Sequence, residues 1–292
     1  MKISYYPGCT LKNNAKNFEE SALCSLNSIG VEVEELPRWN CCGTVFSLAT
    51  DDLIHHVAPI RNLIRVKESN TDRVMTLCAM CYNTLKRANE RVKADSESLD
   101  KINQFMYREK IDYEGDVKIL HLLELLRDEI KFENISKKVT KPLKNLKVAN
   151  YYGCLLVRPK EIGLDDVENP TILDNLMTAM GADSIDFPYK TECCGAYQTV
   201  NNLEIIAERT YHILTSAQSQ GAEVVTVSCP LCAFNLDHRQ EETVQKFPEF
   251  KNIPILYFTQ LMAIALGCPE KSLRFDLNSI DPKPILKEKG LI

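Results

Sequence analysis

The sequence predicts an α/β protein built from two pseudo-repeated Rossmann-like domains, each a mainly parallel sheet flanked by helices. Three observations predict it. One cysteine pattern is used twice, short strand-like runs alternate with helical apolar periodicities, and 292 residues suit two domains of about 140 each. Apolar residues make up 45% of the chain and charged residues 26%, enough for a core and incompatible with a disordered chain. The net charge of −5 argues against a broad nucleic-acid-binding surface.

Each half reads in the same order. Ile3-Ser4-Tyr5-Tyr6 is strand-like and meets a turn at Pro7-Gly8. Ala15, Phe18, Ala22, Leu26 and Ile29 then recur every three or four residues, one face of a helix. Gly30 can close that helix through positive φ before the strand-like VEVEEL. A second helix is expected after Cys42, with Asn70 capping it (Gly221 in the second half) before the strand RVMTL. Leu203, Ile206, Ala207, Thr210, Ile213, Leu214 and Ala217 carry the helical spacing in the second half. Strands alternating with helices of this length imply a parallel sheet covered on both faces.

The repeat is visible in detail. SYYPGCTLK at the start answers NYYGCLLVR from Asn150, and PRWNCCG from Pro37 answers PYKTECCG from Pro188. VMTLCAMCYNTL from Val74 answers VTVSCPLCAFNL from Val225, and ILHLLELL from Ile119 answers ILYFTQLM from Ile255. Glycines, strands and cysteines matching in one order indicate duplication. The halves are placed at 1–136 and 147–292, joined by an exposed Lys-rich stretch from Lys137.

Ten of the twelve cysteines belong to the repeat. Cys9, Cys41, Cys42, Cys78 and Cys81 give C-x31-C-C-x35-C-x2-C; Cys154, Cys193, Cys194, Cys229 and Cys232 give C-x38-C-C-x34-C-x2-C. No apolar run or small-residue cleavage site follows Met1, and no stretch approaches the roughly 18 apolar residues of a membrane span. The expected setting is therefore cytoplasmic and reducing, where thiols are free to bind metal.

Each set of cysteines falls just after a strand and just before a helix. Loops at the carboxyl ends of parallel strands converge on one edge, and helix amino-termini pointing there favour an anionic group such as a thiolate-ligated cluster. Structural zinc wants four ligands in a closed tetrahedron, whereas each half offers five thiols, two of them adjacent. Neighbouring cysteines strain to reach one metal but readily bind two, which favours a multi-iron cluster; zinc and a strained Cys41–Cys42 disulfide stay open as alternatives. Ferredoxin, G-x-G-x-x-G and P-loop motifs are missing, so no flavin or nicotinamide site is expected and electrons should come from a partner chain.

The doubled Cys-Cys-Gly pattern with its trailing C-x2-C resembles the CCG-domain family over about residues 1 to 268. Two complete copies in one chain are most similar to the B subunits of the methanogen CoB–CoM heterodisulfide reductases. The resemblance implies two non-cubane [4Fe-4S] clusters, one on Cys9, Cys41, Cys42, Cys78 and Cys81 and one on Cys154, Cys193, Cys194, Cys229 and Cys232. It implies reduction of the coenzyme M–coenzyme B heterodisulfide to two thiols, in the energy metabolism of methanogenesis, with the substrate between the clusters. It also implies an iron–sulfur C subunit and a flavin-containing A subunit as partners, with a hydrogenase or formate dehydrogenase beyond them. Two rival readings are an electron-transfer subunit of a lactate, glycolate or glycerol-3-phosphate dehydrogenase, and a redox-inert zinc scaffold.

Smaller signals complete the expectations. Gly43 and Gly195 are turn glycines that let backbone approach a cluster, and Tyr5, Tyr6, Tyr151 and Tyr152 are packing residues. The heterodisulfide carries a sulfonate and a phosphate, so Lys12 and Arg158, just after the first cysteine of each half, are candidate anion contacts against the alternative of surface charge. His121 is a candidate proton source, with a core histidine as the alternative. His55, His56, His212 and His238 read as helix residues, and Cys24 and Cys268 as buried free thiols.

Overall fold

The computed structural model describes residues 1–44 and 52–292. Strands β1 (Lys2–Tyr5), β2 (Glu32–Glu35), β3 (Arg73–Thr76) and β4 (Lys118–His121) form a sheet in the order β2-β1-β3-β4. Strands β5 (Lys147–Asn150), β6 (Asp183–Ile185), β7 (Val224–Val227) and β8 (Ile255–Tyr257) repeat it as β6-β5-β7-β8. Every pairing is parallel, in matching register between the halves: Tyr5 lies opposite Met75, and Asn150 opposite Thr226. Two parallel sheets flanked by helices are the expected fold.

Burial explains the strand sequences. Central β7 (VVTV) is buried at every position, as a strand covered on both faces must be. Edge strand β2 turns Glu32, Glu34 and Glu35 to solvent, and such charges deter pairing with another chain's edge.

In the first half, helices α1 (Cys9–Asn13), α2 (Lys16–Ser28), α3 (Val57–Glu68) and α4 (Ala79–Ala94) connect the strands. The helix expected after Cys42 is α3, and residues 45–51 lie outside the described residues. In the second half the corresponding helices include α5 (Ile172–Ala179), α6 (Leu203–Ser219), α7 (Pro230–Ala233) and α8 (Phe258–Ala265). Gly30 (φ 82°) ends α2 and Gly181 (φ 88°) follows α5, the left-handed conformation that glycine adopts without steric cost.

The halves pack on each other through two layers. Phe18 of α2 stacks on Tyr257 at 4.2 Å and meets Phe258 edge-on at 5.7 Å, while Ser21 Oγ lies 2.7 Å from Thr259 Oγ1. On the other side, α4 leans on the loop after Cys154. Tyr82 Oη donates to the Ile162 carbonyl at 3.1 Å, and Asn83 Nδ2 donates to the Leu155 and Arg158 carbonyls at 2.9 and 2.7 Å.

Two features depart from the sequence expectation. Cys24 and Cys268 are neither buried nor free: both are half-buried and joined as a disulfide that bridges the halves across 244 residues. The pattern placed Cys24 on a helix face but carried no information on what that face meets. The Lys-rich connection is exposed at its lysines but not throughout. Leu143 and Leu146 are fully buried, and the Thr140 and Lys141 amides donate to the Ala265 carbonyl at 2.9 and 3.0 Å.

Candidate cluster sites

The strand ends deliver the ten cysteines to one edge of each sheet. Cys9 opens α1 after β1, Cys41 and Cys42 follow β2, and Cys78 precedes α4 after β3. Cys154 follows β5, Cys193 and Cys194 follow β6, and Cys229 precedes α7 after β7. Sequence reasoning grouped these residues by spacing, and the fold brings each group together.

Each quintet divides into a buried trio and a more open pair. Cys42, Cys78 and Cys81 are buried while Cys9 and Cys41 are exposed; Cys194, Cys229 and Cys232 are buried while Cys154 and Cys193 are half-buried. Sulfurs meet within both groups. Cys42 and Cys81 lie 3.6 Å apart, Cys194 and Cys232 lie 3.5 Å apart, and the exposed pair Cys9 and Cys41 lies 3.9 Å apart. Two thiolates on one tetrahedral metal at the usual bond length sit about 3.8 Å apart, so these pairs have the separation of co-ligands. Among the described residues, no three His, Cys, Asp or Glu side chains converge on a single ion.

Backbone shape makes room for sulfur. Gly8 (φ 73°) would bring a Cβ to 3.0 Å from Cys81 Sγ, and Gly153 (φ 65°) to 3.3 Å from Cys232 Sγ. A side chain at either position would be strained and would intrude on the thiol. A small apolar cavity is lined by all five cysteines of the second half and closed in part by Ala79 and Met80 of the first. An all-thiolate donor set, buried trios and a glycine cradle fit an iron–sulfur cluster in each half.

The thiols of each quintet share protons unevenly. A hydrogen bond with Cys154 holds Cys193 down at about 6, helped by the Gly195 amide and the Arg209 guanidinium. Cys42 is held well below the usual thiol range by Cys41 and then Cys81, and Cys229 by Cys232 and then Cys78. Cys78, Cys81 and Cys232 are pushed up by thiol neighbours and burial. These shifts favour the thiolate form at Cys42, Cys193 and Cys229, the form that ligates metal.

The quintets are not isolated from each other. Cys78 of the first half and Cys229 of the second perturb one another's ionisation, and the Ala79 amide donates to the Ser228 carbonyl at 3.2 Å. The two C-x2-C turns therefore abut where the halves meet.

The remaining predicted residues have defined partners. Lys12 Nζ is held by Glu19 at 2.8 Å and Glu35 at 2.6 Å. Arg158 donates to the Thr191 carbonyl at 2.8 Å and pairs with exposed Glu168 at 3.4 Å. His121 is fully buried, with Nε2 2.7 Å from the Leu77 carbonyl while Nδ1 accepts the Leu123 amide at 3.2 Å; burial lowers its pKa to about 4. Both ring nitrogens are occupied by backbone. Tyr5, Tyr6, Tyr151 and Tyr152 are packing residues as expected, each about 1% exposed, and Tyr6 and Tyr151 lie within the field of their half's cysteines. The sequence reading missed Arg209, which donates to the Cys193 carbonyl at 3.0 Å, and Asn235, which donates to the Cys194 carbonyl at 2.9 Å. Neither stands in a spacing that marks it.

A family model described as a cysteine-rich domain, CCG, matches residues 3–86 and 148–237. The chain belongs to this cysteine-rich CCG-domain family. It is 32% identical over 281 residues to the 8-methylmenaquinol:fumarate reductase membrane anchor subunit of Wolinella succinogenes, covering 96% of this chain and 97% of that one. It is 31% identical over 283 residues to the B subunit of the ferredoxin/F(420)H(2)-dependent CoB–CoM heterodisulfide reductase of Methanosarcina acetivorans, covering 96% and 94%. A crystal structure of a hypothetical protein from Helicobacter pylori superposes with a TM-score of 0.77 at 14% identity, over 95% of this chain and 51% of that one, a likeness of fold. Family and relatives support an iron–sulfur electron-transfer role for the chain. No helix among the described residues is long and apolar enough to cross a membrane.

Proposed function

We propose that the chain is a disulfide-reducing subunit, with a non-cubane [4Fe-4S] cluster on each cysteine quintet and the coenzyme M–coenzyme B heterodisulfide as substrate. The observation that carries this reading is the abutment of the two C-x2-C turns, where the Ala79 amide donates to the Ser228 carbonyl at 3.2 Å and Ala79 and Met80 help to close the cavity of the second quintet. Breaking one disulfide takes two electrons and two protons, and an iron–sulfur cluster ordinarily moves one electron. Bound clusters would supply one electron each and a thiophilic iron for each departing sulfur.

The chain's own residues do the rest. The buried trios Cys42, Cys78, Cys81 and Cys194, Cys229, Cys232 anchor the group away from water, and the more open Cys9, Cys41, Cys154 and Cys193 form its accessible side. Gly8 and Gly153 keep side-chain bulk off Cys81 and Cys232. Lys12 and Arg158 meet the substrate's anionic ends by exchanging their present carboxylate partners. Separate iron–sulfur and flavin subunits deliver the electrons, on the cytoplasmic side.

The Wolinella relative favours a second reading, an electron-transfer subunit serving a quinol-linked reductase without disulfide chemistry. An anaerobic assay with reduced viologen separates them. Heterodisulfide-dependent viologen oxidation that falls at least tenfold in both Cys41→Ala and Cys193→Ala supports the first. A wild-type protein that oxidises viologen only with a quinone supports the second.

A further inference from the structure

Ten cysteines gather at the carboxyl edges of the sheets, and the other two lie elsewhere. In a parallel sheet each connecting helix runs back from the carboxyl edge to the amino edge. Cys24 sits in the second half of α2, and Cys268 lies just beyond the end of α8. Their disulfide therefore ties the halves together away from the quintets. Both members are half-buried rather than sealed. A surface cavity of about 410 Å³ reaches Cys268, with Thr140, Lys141, Gly267 and Glu270 in its lining. Lys141 favours an anionic thiolate there, while Glu270 is occupied by Lys283 at 3.1 Å. Ser28 Oγ lies 3.7 Å from Cys268 Sγ, within reach of a sulfur anion. Bridges that a thiolate can reach are the ones that exchange.

The bridge holds the start of a strap. Residues 268–278 leave α8, cross α2 of the first half and end at a cavity of about 290 Å³ between the halves, which Leu277 and Asn278 line together with Thr10 and Asn14. Along the way Arg274 pairs with Glu20 at 2.8 Å, and Asn17 Nδ2 donates to Asn278 Oδ1 at 3.5 Å; Glu20 and Asn17 both belong to α2. Leu273 and Phe275 are buried. Arg274 is held at φ 47°, a left-handed conformation that costs a non-glycine residue free energy and persists because its surroundings enforce it. The bond to Cys24 is the strap's covalent anchor.

We propose that Cys24–Cys268 is a redox latch on this strap, opened by exchange with a small-molecule thiol that reaches Cys268 through the cavity beside Lys141. The attacking thiolate bonds to Cys268 Sγ and displaces Cys24 as a thiolate. A second thiol then displaces Cys268, leaving two thiols on the chain and one external disulfide. Two electrons pass from the small thiols to the bridge, and their two protons end on Cys24 and Cys268. Once released, the strap keeps Leu273 and Phe275 as anchors but loses its fixed start, so residues 268–278 open more often and the cavity wall at Leu277 and Asn278 moves with them. The latch stands apart from the chemistry of the quintets and does not depend on the heterodisulfide reading.

The test uses the full-length chain, purified anaerobically without reductant and equilibrated in glutathione buffers of graded thiol-to-disulfide ratio. Alkylation and mass spectrometry should show Cys24 and Cys268 becoming labelled together, and reversibly, as the thiol fraction rises, with iron content constant. In the reduced chain, amide hydrogen exchange across 268–278 and tryptic cleavage after exposed Lys271 should both quicken roughly tenfold or more. Lys141→Glu should slow reduction by glutathione roughly threefold or more while leaving strap exchange in the bridged chain unchanged. Cys24→Ser and Cys268→Ser should each show the fast strap exchange in every buffer. A bridge that glutathione leaves intact in the folded chain, strap amides that exchange equally in bridged and reduced wild-type protein, or reduction of Lys141→Glu at the wild-type rate overturns the proposal.

Discussion

Adjacent cysteines set the chemistry at the residue scale, because two neighbouring thiols cannot comfortably close on one ion yet can each take a different metal atom. Their spacing made all ten candidate ligands legible. What spacing could not convey is occupancy by other partners. In the fold Lys12 is already held by Glu19 and Glu35, so an anionic substrate must displace a carboxylate there, and His121, a candidate proton source, has both ring nitrogens on backbone. Those contacts come from strands far apart in the chain. Burial gives His121 a testable signature. Its pKa falls from 6.5 to about 4 in the folded chain, so between these values the unfolded state binds the extra proton. Its contribution is therefore complete above pH 6.5 and lost as pH falls toward 4, by up to about 3 kcal/mol. Denaturant unfolding across that range should show this slope, and His121→Gln should flatten it. An identical slope in the variant would contradict the assignment.

The helices and strands themselves were readable because local pattern and burial agree. Phe18, Ala22 and Leu26 recur on one face of α2 and are all fully buried, and Gly30 ends the helix with positive φ. The match fails where burial is supplied by the other half. The lysines of the connecting segment suggested a solvated linker, yet Leu143 and Leu146 between them are core residues. The apolar face of α2 could be recognised, but not its partner α8. That contact carries weight: Phe18 is fully buried against Tyr257 and Phe258. Phe18→Ala should cost about 3–5 kcal/mol. A fall in the unfolding midpoint is the expected readout. A loss under about 1 kcal/mol would mean that the halves do not depend on this stack.

For the whole molecule, duplication makes two similar sheets, and where they abut Ala79 and Met80 of the first half help to line the cavity of the second half's cysteines. The sequence implied two clusters through the repeat, but the contact of the two quintets through Cys78 and Cys229 is a product of tertiary packing. The same is true of the Cys24–Cys268 disulfide, whose members lie outside the repeated pattern. Closing so long a loop is worth about 2–4 kcal/mol. Cys24→Ser should lose that much stability while retaining wild-type iron, and alkylation without reductant should leave these two cysteines unlabelled. Labelling of both in the untreated protein would contradict the bridge.

The central claim is that two quintets each hold a multi-iron group at adjoining sheet edges. Anaerobic iron and acid-labile sulfide analysis of the purified chain tests it most directly. The account predicts a brown protein with about eight irons per chain, falling to about half when Cys42→Ala disables the first quintet or Cys194→Ala the second. A colourless chain carrying one or two zinc ions, or iron unaffected by both substitutions, would contradict it.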